Sequence, residues 1–125
     1  MADEIRMNLN VNVSKASASF DKQVLKTNKT FTQTGVGGPS PGRVSVPTSD
    51  TVISLAGLTT PGLVCITNHD TANYVEFGPT SAGAIVKMIK VPAGQSAVFY
   101  LAASVVLRGI ANTGACVCSI DIIEA

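Results

Sequence analysis

The sequence predicts an all-β chain, an antiparallel β-sandwich or jelly roll with an extended N-terminal strand or arm. Three observations carry this. Apolar and polar residues alternate at period two through "IRMNLNVNV", residues 5–13; runs rich in β-branched residues recur roughly every ten residues beyond residue 43; and glycine, proline and asparagine punctuate the runs. At 125 residues the chain is long enough for one domain with a real core. Charged residues make up 14% and hydrophobic ones 46%, against about 25% charged in ordinary globular chains. A surface so poor in charge implies apolar area hidden inside or against other subunits.

The first element is the alternating stretch. Ile5, Met7, Leu9, Val11 and Val13 occupy every odd position and therefore one face of a strand. A strand so near a chain end needs both a ladder partner and a surface for its apolar face, so these five residues are a candidate subunit interface. The alternative is that they complete the chain's own sandwich. "SASF" (17–20) and "KTFTQT" (29–34) follow as extended pieces, with "DKQVLKTN" between them able to form a helical turn. "GVGGPSPG", residues 35–42, concentrates Gly and Pro and reads as a linker, separating an arm over 1–34 from a sandwich body over 43–125.

In the body, "RVSVP", "TVISLAG", "GLVCITN", "NYVEFG", "AIVKMIKV", "QSAVFYLA", "VVLRGIA" and "CVCSIDII" read as successive strands. "TTPG" at 59–62 offers Pro and Gly to a type II turn, and "VPAGQ" at 91–95 offers Pro92 and Gly94 to a similar reversal. "SAGAIVKMIK" fits both a helical stripe and a strand face; its β-branched content favours strand.

Net charge is +1, which gives no reason to expect nucleic acid or an anionic membrane as partner. Its distribution is uneven. Residues 1–45 carry six basic groups against three acidic ones, and the remainder carries three against five. This pattern suits attraction between subunits, and equally a solvated face of lysines that blunts an edge strand. "MADEIRMNLN" lacks a basic segment followed by an apolar run, so synthesis in a cytoplasm is expected. Cys65, Cys116 and Cys118 are too few and too irregularly spaced for a zinc site, even with His69, and their odd count excludes a closed set of intrachain disulfides. Buried small hydrophobes are the expectation for them, with no metal and no cofactor.

Catalytic patterns are lacking too. His69 and Asp70 are adjacent and would point apart in extended chain, the glycine-rich stretch lacks the Gly-Lys-Ser/Thr of a phosphate loop, and the carboxylates show no acid–base spacing. No enzyme is expected. A carbohydrate-binding sandwich would need exposed aromatic faces; with no Trp, only Tyr74 and Phe77 near a turn offer a possible exposed aromatic contact.

"FTQTGVGGPSPG", "LTTPGLVCITNHDTANYVEFG", "VPAGQSAVFYLA" and "RGIANTGACVCSIDIIEA", in that order, resemble a group of small structural proteins of tailed bacteriophages over roughly residues 30–125. Leu63 stands where relatives often carry an aromatic or larger apolar residue, and the three cysteines are particular to this chain. The resemblance implies a virion component that binds copies of itself and the major capsid protein or tail proteins. A homotrimer, closed by cyclic contacts that hide the low-charge surface, is the expected form. A capsid decoration or cement protein is the first expectation, and a tail or head–tail connector component the second.

Overall fold

The computed structural model describes residues 5–8, 10–15, 18–23, 29–31 and 38–124. The chain divides into two compact units, residues 1–34 and 35–125.

In the first unit, β1 (Ile5–Met7) pairs antiparallel with β4 (Lys29–Phe31), and β2 (Asn10–Lys15) pairs antiparallel with β3 (Ala18–Gln23). The alternating stretch is thus two strands rather than one, and each has its ladder partner in the same unit. Met7 pairs with Lys29 while Asn10 pairs with Gln23, so the two ladders are in different registers. Asp21–Gln23, expected to open a helical turn, are strand instead; residues 24–28 and Leu9 lie outside the described residues.

The second unit contains β5 (Ser40–Val46), β6 (Thr51–Val52), β7 (Leu63–Asn68), β8 (Val75–Gly78), β9 (Thr80–Ser81), β10 (Ala84–Ile85), β11 (Ile89–Val91), β12 (Ser96–Tyr100), β13 (Arg108–Ala111) and β14 (Cys116–Ile123). Because β5 begins at Ser40, the last three residues of the Gly/Pro-rich stretch are ladder residues, not linker. One four-stranded sheet has the order β12-β7-β14-β5 and the other β11-β8-β13-β6, all antiparallel. The pairs β8–β11, β7–β12, β6–β13 and β5–β14 nest one outside the next, as if one long hairpin were rolled up. That is the connectivity of an eight-stranded jelly roll. The tip of the hairpin is β9–β10, where Ala82 (φ 51°) and Gly83 (φ 79°) both take left-handed conformations, as a tight two-residue reversal requires.

Alternation decides what lies between the sheets. Cys116, Cys118, Ile120 and Ile122 of β14 are fully buried, and they share one cluster with Val46, Val64, Ile66, Val75, Phe77, Val91 and Leu107. Phe77 sits beside Gly109 in the β8–β13 ladder, where a Cβ on Gly109 would come within 2.9 Å of the ring. Asn68, the fully buried polar residue, donates from Nδ2 to the carbonyls of Asn73 and Val91, and its Oδ1 accepts from the Asp70 amide. The "VPAGQ" reversal is present, with Gly94 at φ 71° and the Gln95 amide donating to the Pro92 carbonyl. "TTPG" is not the expected type II turn. The left-handed glycine there is Gly57 (φ 84°), in a turn closed by the Leu58 amide on the Leu55 carbonyl, while Gly62 instead enters the ladder, accepting from the Leu101 amide and donating to Ile123.

Two substitutions test this packing by denaturant titration. Phe77→Ala should cost about 3–5 kcal/mol by emptying the centre of the core. Gly78→Ala should cost roughly 1–3 kcal/mol, because its Cβ would run into the Val86 carbonyl folded over it.

Candidate functional site

Within each sheet of the jelly roll the edge strands differ in character, and the side between β11 and β12 holds a concavity. It is an apolar cleft of about 170 Å³ whose walls include Met88, Ile89, Phe99, Tyr100, Val105 and Leu107. A cavity of this order accepts one large apolar side chain or a small apolar ligand. Its floor comes from inward-facing residues: Leu107 belongs to the core, and Ile89, Phe99 and Leu101 pack against it half-buried. Its rim is exposed. Met88 is 69% and Tyr100 54% accessible, and Val86, Val98 and Val106 extend the apolar surface. Strand alternation explains the split at β12, where Ala97 and Phe99 face inward while Ser96, Val98 and Tyr100 face solvent.

The β9–β10 tip beside the cleft is held by a small polar network. Asp50 accepts from the Ile85 amide (2.9 Å) and from Arg108 Nη1 (3.1 Å), and Arg108 Nε donates to Thr80 Oγ1 (2.9 Å). Partial desolvation opposes ionisation of Asp50, but the Ile85 amide and the Arg108 guanidinium outweigh it and hold the carboxyl below its usual range. Asp70 is likewise depressed, first by the amide of Asn73 and then by that of Ala72.

The residues singled out from the sequence fall in different places. Ile5 and Met7 lie in β1, and Val11 and Val13 in β2, each paired inside the first unit. Phe77 is no exposed aromatic contact: it is fully buried, because its alternation parity in β8 points it between the sheets. Tyr74 is half-buried beneath the Lys90 ammonium, 4.1 Å from the ring centroid. Tyr74 and Phe77 therefore form no shared exposed platform, and Tyr100 is an exposed aromatic at the cleft. All three cysteines are free thiols. Burial pushes the thiols of Cys65 and Cys116 up, and that of Cys118 up to about 11, which keeps them protonated and poorly nucleophilic at neutral pH.

One contact was not legible in the sequence. His69 Nε2 lies 2.7 Å from Ser119 Oγ on the outer face of the β7–β14 ladder, fifty residues apart in the chain. The signal is only visible once the register is known, since the His69 amide donates to the Val117 carbonyl and so brings residue 69 level with the strand. Asp70 does not orient the imidazole, because its Oδ2 caps the Ala72 and Asn73 amides. Neither His69 nor Ser119 lines the cleft. Among the described residues no group of three or more His, Cys, Asp and Glu is placed to hold a metal.

Compared with family models, curated proteins and solved structures, the chain matches none.

The thiols give a pH signature. A Cys118 pKa raised from its ordinary 9.0 to about 11 means that the folded state binds the proton more tightly than the unfolded one. The resulting stability is complete below pH 9 and is lost as pH rises towards 11. Stability measured from about pH 8 to 11 should fall, and Cys118→Val should flatten that alkaline limb. At the other end, Asp50→Ala should speed hydrogen exchange at the Ile85 amide, read by NMR at neutral pH.

Proposed function

We propose that this chain is a non-enzymatic structural protein of a tailed-bacteriophage virion, made in the host cytoplasm, that associates with itself and decorates the capsid shell. The observation that carries the reading is the exposed apolar surface at the edge of the jelly roll, Val98 and Tyr100 on β12 with Met88 across the cleft, a surface suited to contact. The likeness of the turn-rich strings at 30–125 to phage structural proteins supports the virion setting. The scarcity of charge across the whole chain supports extensive contact with other subunits. A jelly roll hosts many functions, so the fold adds only compatibility.

A tail or head–tail connector role is the second reading, and one observation favours it. β1 pairs with β4 and β2 with β3, both antiparallel, and a long hairpin is what a tail-tube protein would more often carry. A two-stranded ribbon is marginal in water without a third strand or a packing surface, which suits either role.

Mass spectrometry of virions purified from the phage that encodes the chain, followed by gold labelling with antibody to the body, separates the readings. Label over heads is the expected result, label over tails favours the second reading, and its absence from the particle overturns both. Deleting residues 1–34 should leave the melting of the body nearly unchanged, since the two units are separately compact, while occupancy on the particle falls at least tenfold.

A further inference from the structure

We propose that the outer face of the β12-β7-β14-β5 sheet carries an oxyanion site, which binds a phosphate group at Arg43, Ser119 and His69. This goes beyond the virion reading and does not depend on it.

Strand register brings these residues together. Ser119 lies opposite Arg43 on one side and Thr67 on the other, and Thr67 lies opposite Ser96, so the four form one row across all four strands. Parity turns the row away from the core: Ile66, Asn68, Cys118 and Ile120 beside it are buried, whereas Arg43 and Ser96 are exposed and Thr67 and Ser119 half-buried. The His69 amide donates to the Val117 carbonyl, so Val117 and, two residues on, Ser119 turn their main-chain groups towards β7. Arg43 and Ser119 are therefore a non-hydrogen-bonded pair, the kind that holds side chains closer. The Arg43 side chain thus starts beside a hydroxyl that exposed His69 already reaches, Nε2 to Oγ, at 2.7 Å.

The row is rich in donors. A guanidinium presents its N–H groups as a planar fork matched to an oxyanion. Among the described residues the ion pairs are Lys87–Glu76 and Arg108–Asp50, and Arg43 takes part in neither. Thr67 Oγ1 and Ser96 Oγ lie 3.0 Å apart; whichever donates, the other keeps an O–H to offer outward. An anion likewise favours the arrangement in which His69 Nε2 donates to Ser119 and the Ser119 O–H turns to the ligand.

Two carboxylates lie nearby, and they act differently. Asp70, next to His69 in sequence, is committed to the Ala72 and Asn73 amides. Asp121 stands one row along, opposite Pro41 and Cys65, where its charge opposes an anion at Ser119. A guanidinium fork flanked by hydroxyls suits the several oxygens of a phosphate group, whereas a neutral sugar would want an aromatic face, which the row does not contain.

The test uses the full chain and inorganic phosphate, titrated at constant ionic strength against matched chloride and read by amide NMR shifts. Phosphate should give saturable shifts at residues 43, 69 and 119 that chloride does not. Arg43→Met should weaken binding at least about fivefold with circular dichroism unchanged, and Ser119→Ala at least about twofold. Asp121→Asn should strengthen it at least about twofold by removing the opposing charge, a gain that misfolding cannot produce. Lys90→Met, which removes a cation from the other sheet, should change nothing. Glycerol phosphate and dimethyl phosphate serve as further arms: tighter binding of either than of inorganic phosphate assigns the site to a phosphate ester of that type, and tightest binding of inorganic phosphate assigns it to the free ion. Shifts that do not saturate, equal shifts with chloride, an Arg43→Met variant that binds like the wild type, or an Asp121→Asn variant that binds no tighter would each overturn the proposal.

Discussion

Phe77 sets the terms for the second sheet of the jelly roll. It is the largest side chain with no solvent exposure, and it occupies the middle of a row running Ile89, Phe77, Gly109, Thr51 across four strands. A ring of that size fits between sheets about 10 Å apart only if a neighbour in the ladder yields its volume. Gly109 does so, with the ring lying where its side chain would be. Opposite, β14 contributes thiols and isoleucines of moderate bulk, so the two layers interdigitate without a buried polar atom left unpaired among the described residues.

Strands whose faces differ in polarity were legible because the period-two pattern is a direct image of burial. "CVCSIDII" shows this well: every second residue is buried from Cys116 to Ile122, as alternation predicts. Local turn chemistry was less reliable. "TTPG" contains a good type II sequence, but Gly62 is held between Leu101 and Ile123 as a ladder residue, so pairing with strands nearly forty and sixty residues away outweighs the local preference. Phe77 was misread for a similar reason, since nearness to a turn says nothing about parity. The cleft could not have been read at all, because its walls meet only when β11 and β12 are the edges of facing sheets.

The cleft and the His69–Ser119 contact illustrate two ways in which a sandwich displays chemistry. The histidine and serine sit on an open sheet face within hydrogen-bonding reach, while the nearest carboxylate in sequence is committed to amides of its own loop. The cleft, by contrast, gathers apolar surface from both sheets into one concavity whose floor is continuous with the core. Contact area of this second kind suits apolar association, and the thiols of the chain, Cys65 half-buried and Cys116 and Cys118 buried, are held protonated at neutral pH.

The nested pairing has a consequence for synthesis. Cutting the body at the Ala82–Gly83 reversal leaves β5 to β8 on one side and β11 to β14 on the other. In both four-stranded sheets every hydrogen-bonded neighbour joins one half to the other, as β12-β7-β14-β5 and β11-β8-β13-β6 show. The first four strands therefore have no ladder to form among themselves as they leave the ribosome. They must wait, as extended chain with apolar faces uncovered, until the tip and its returning strands emerge, and the outermost contact, Ser40 with Ile122, becomes possible only when the last strand is made.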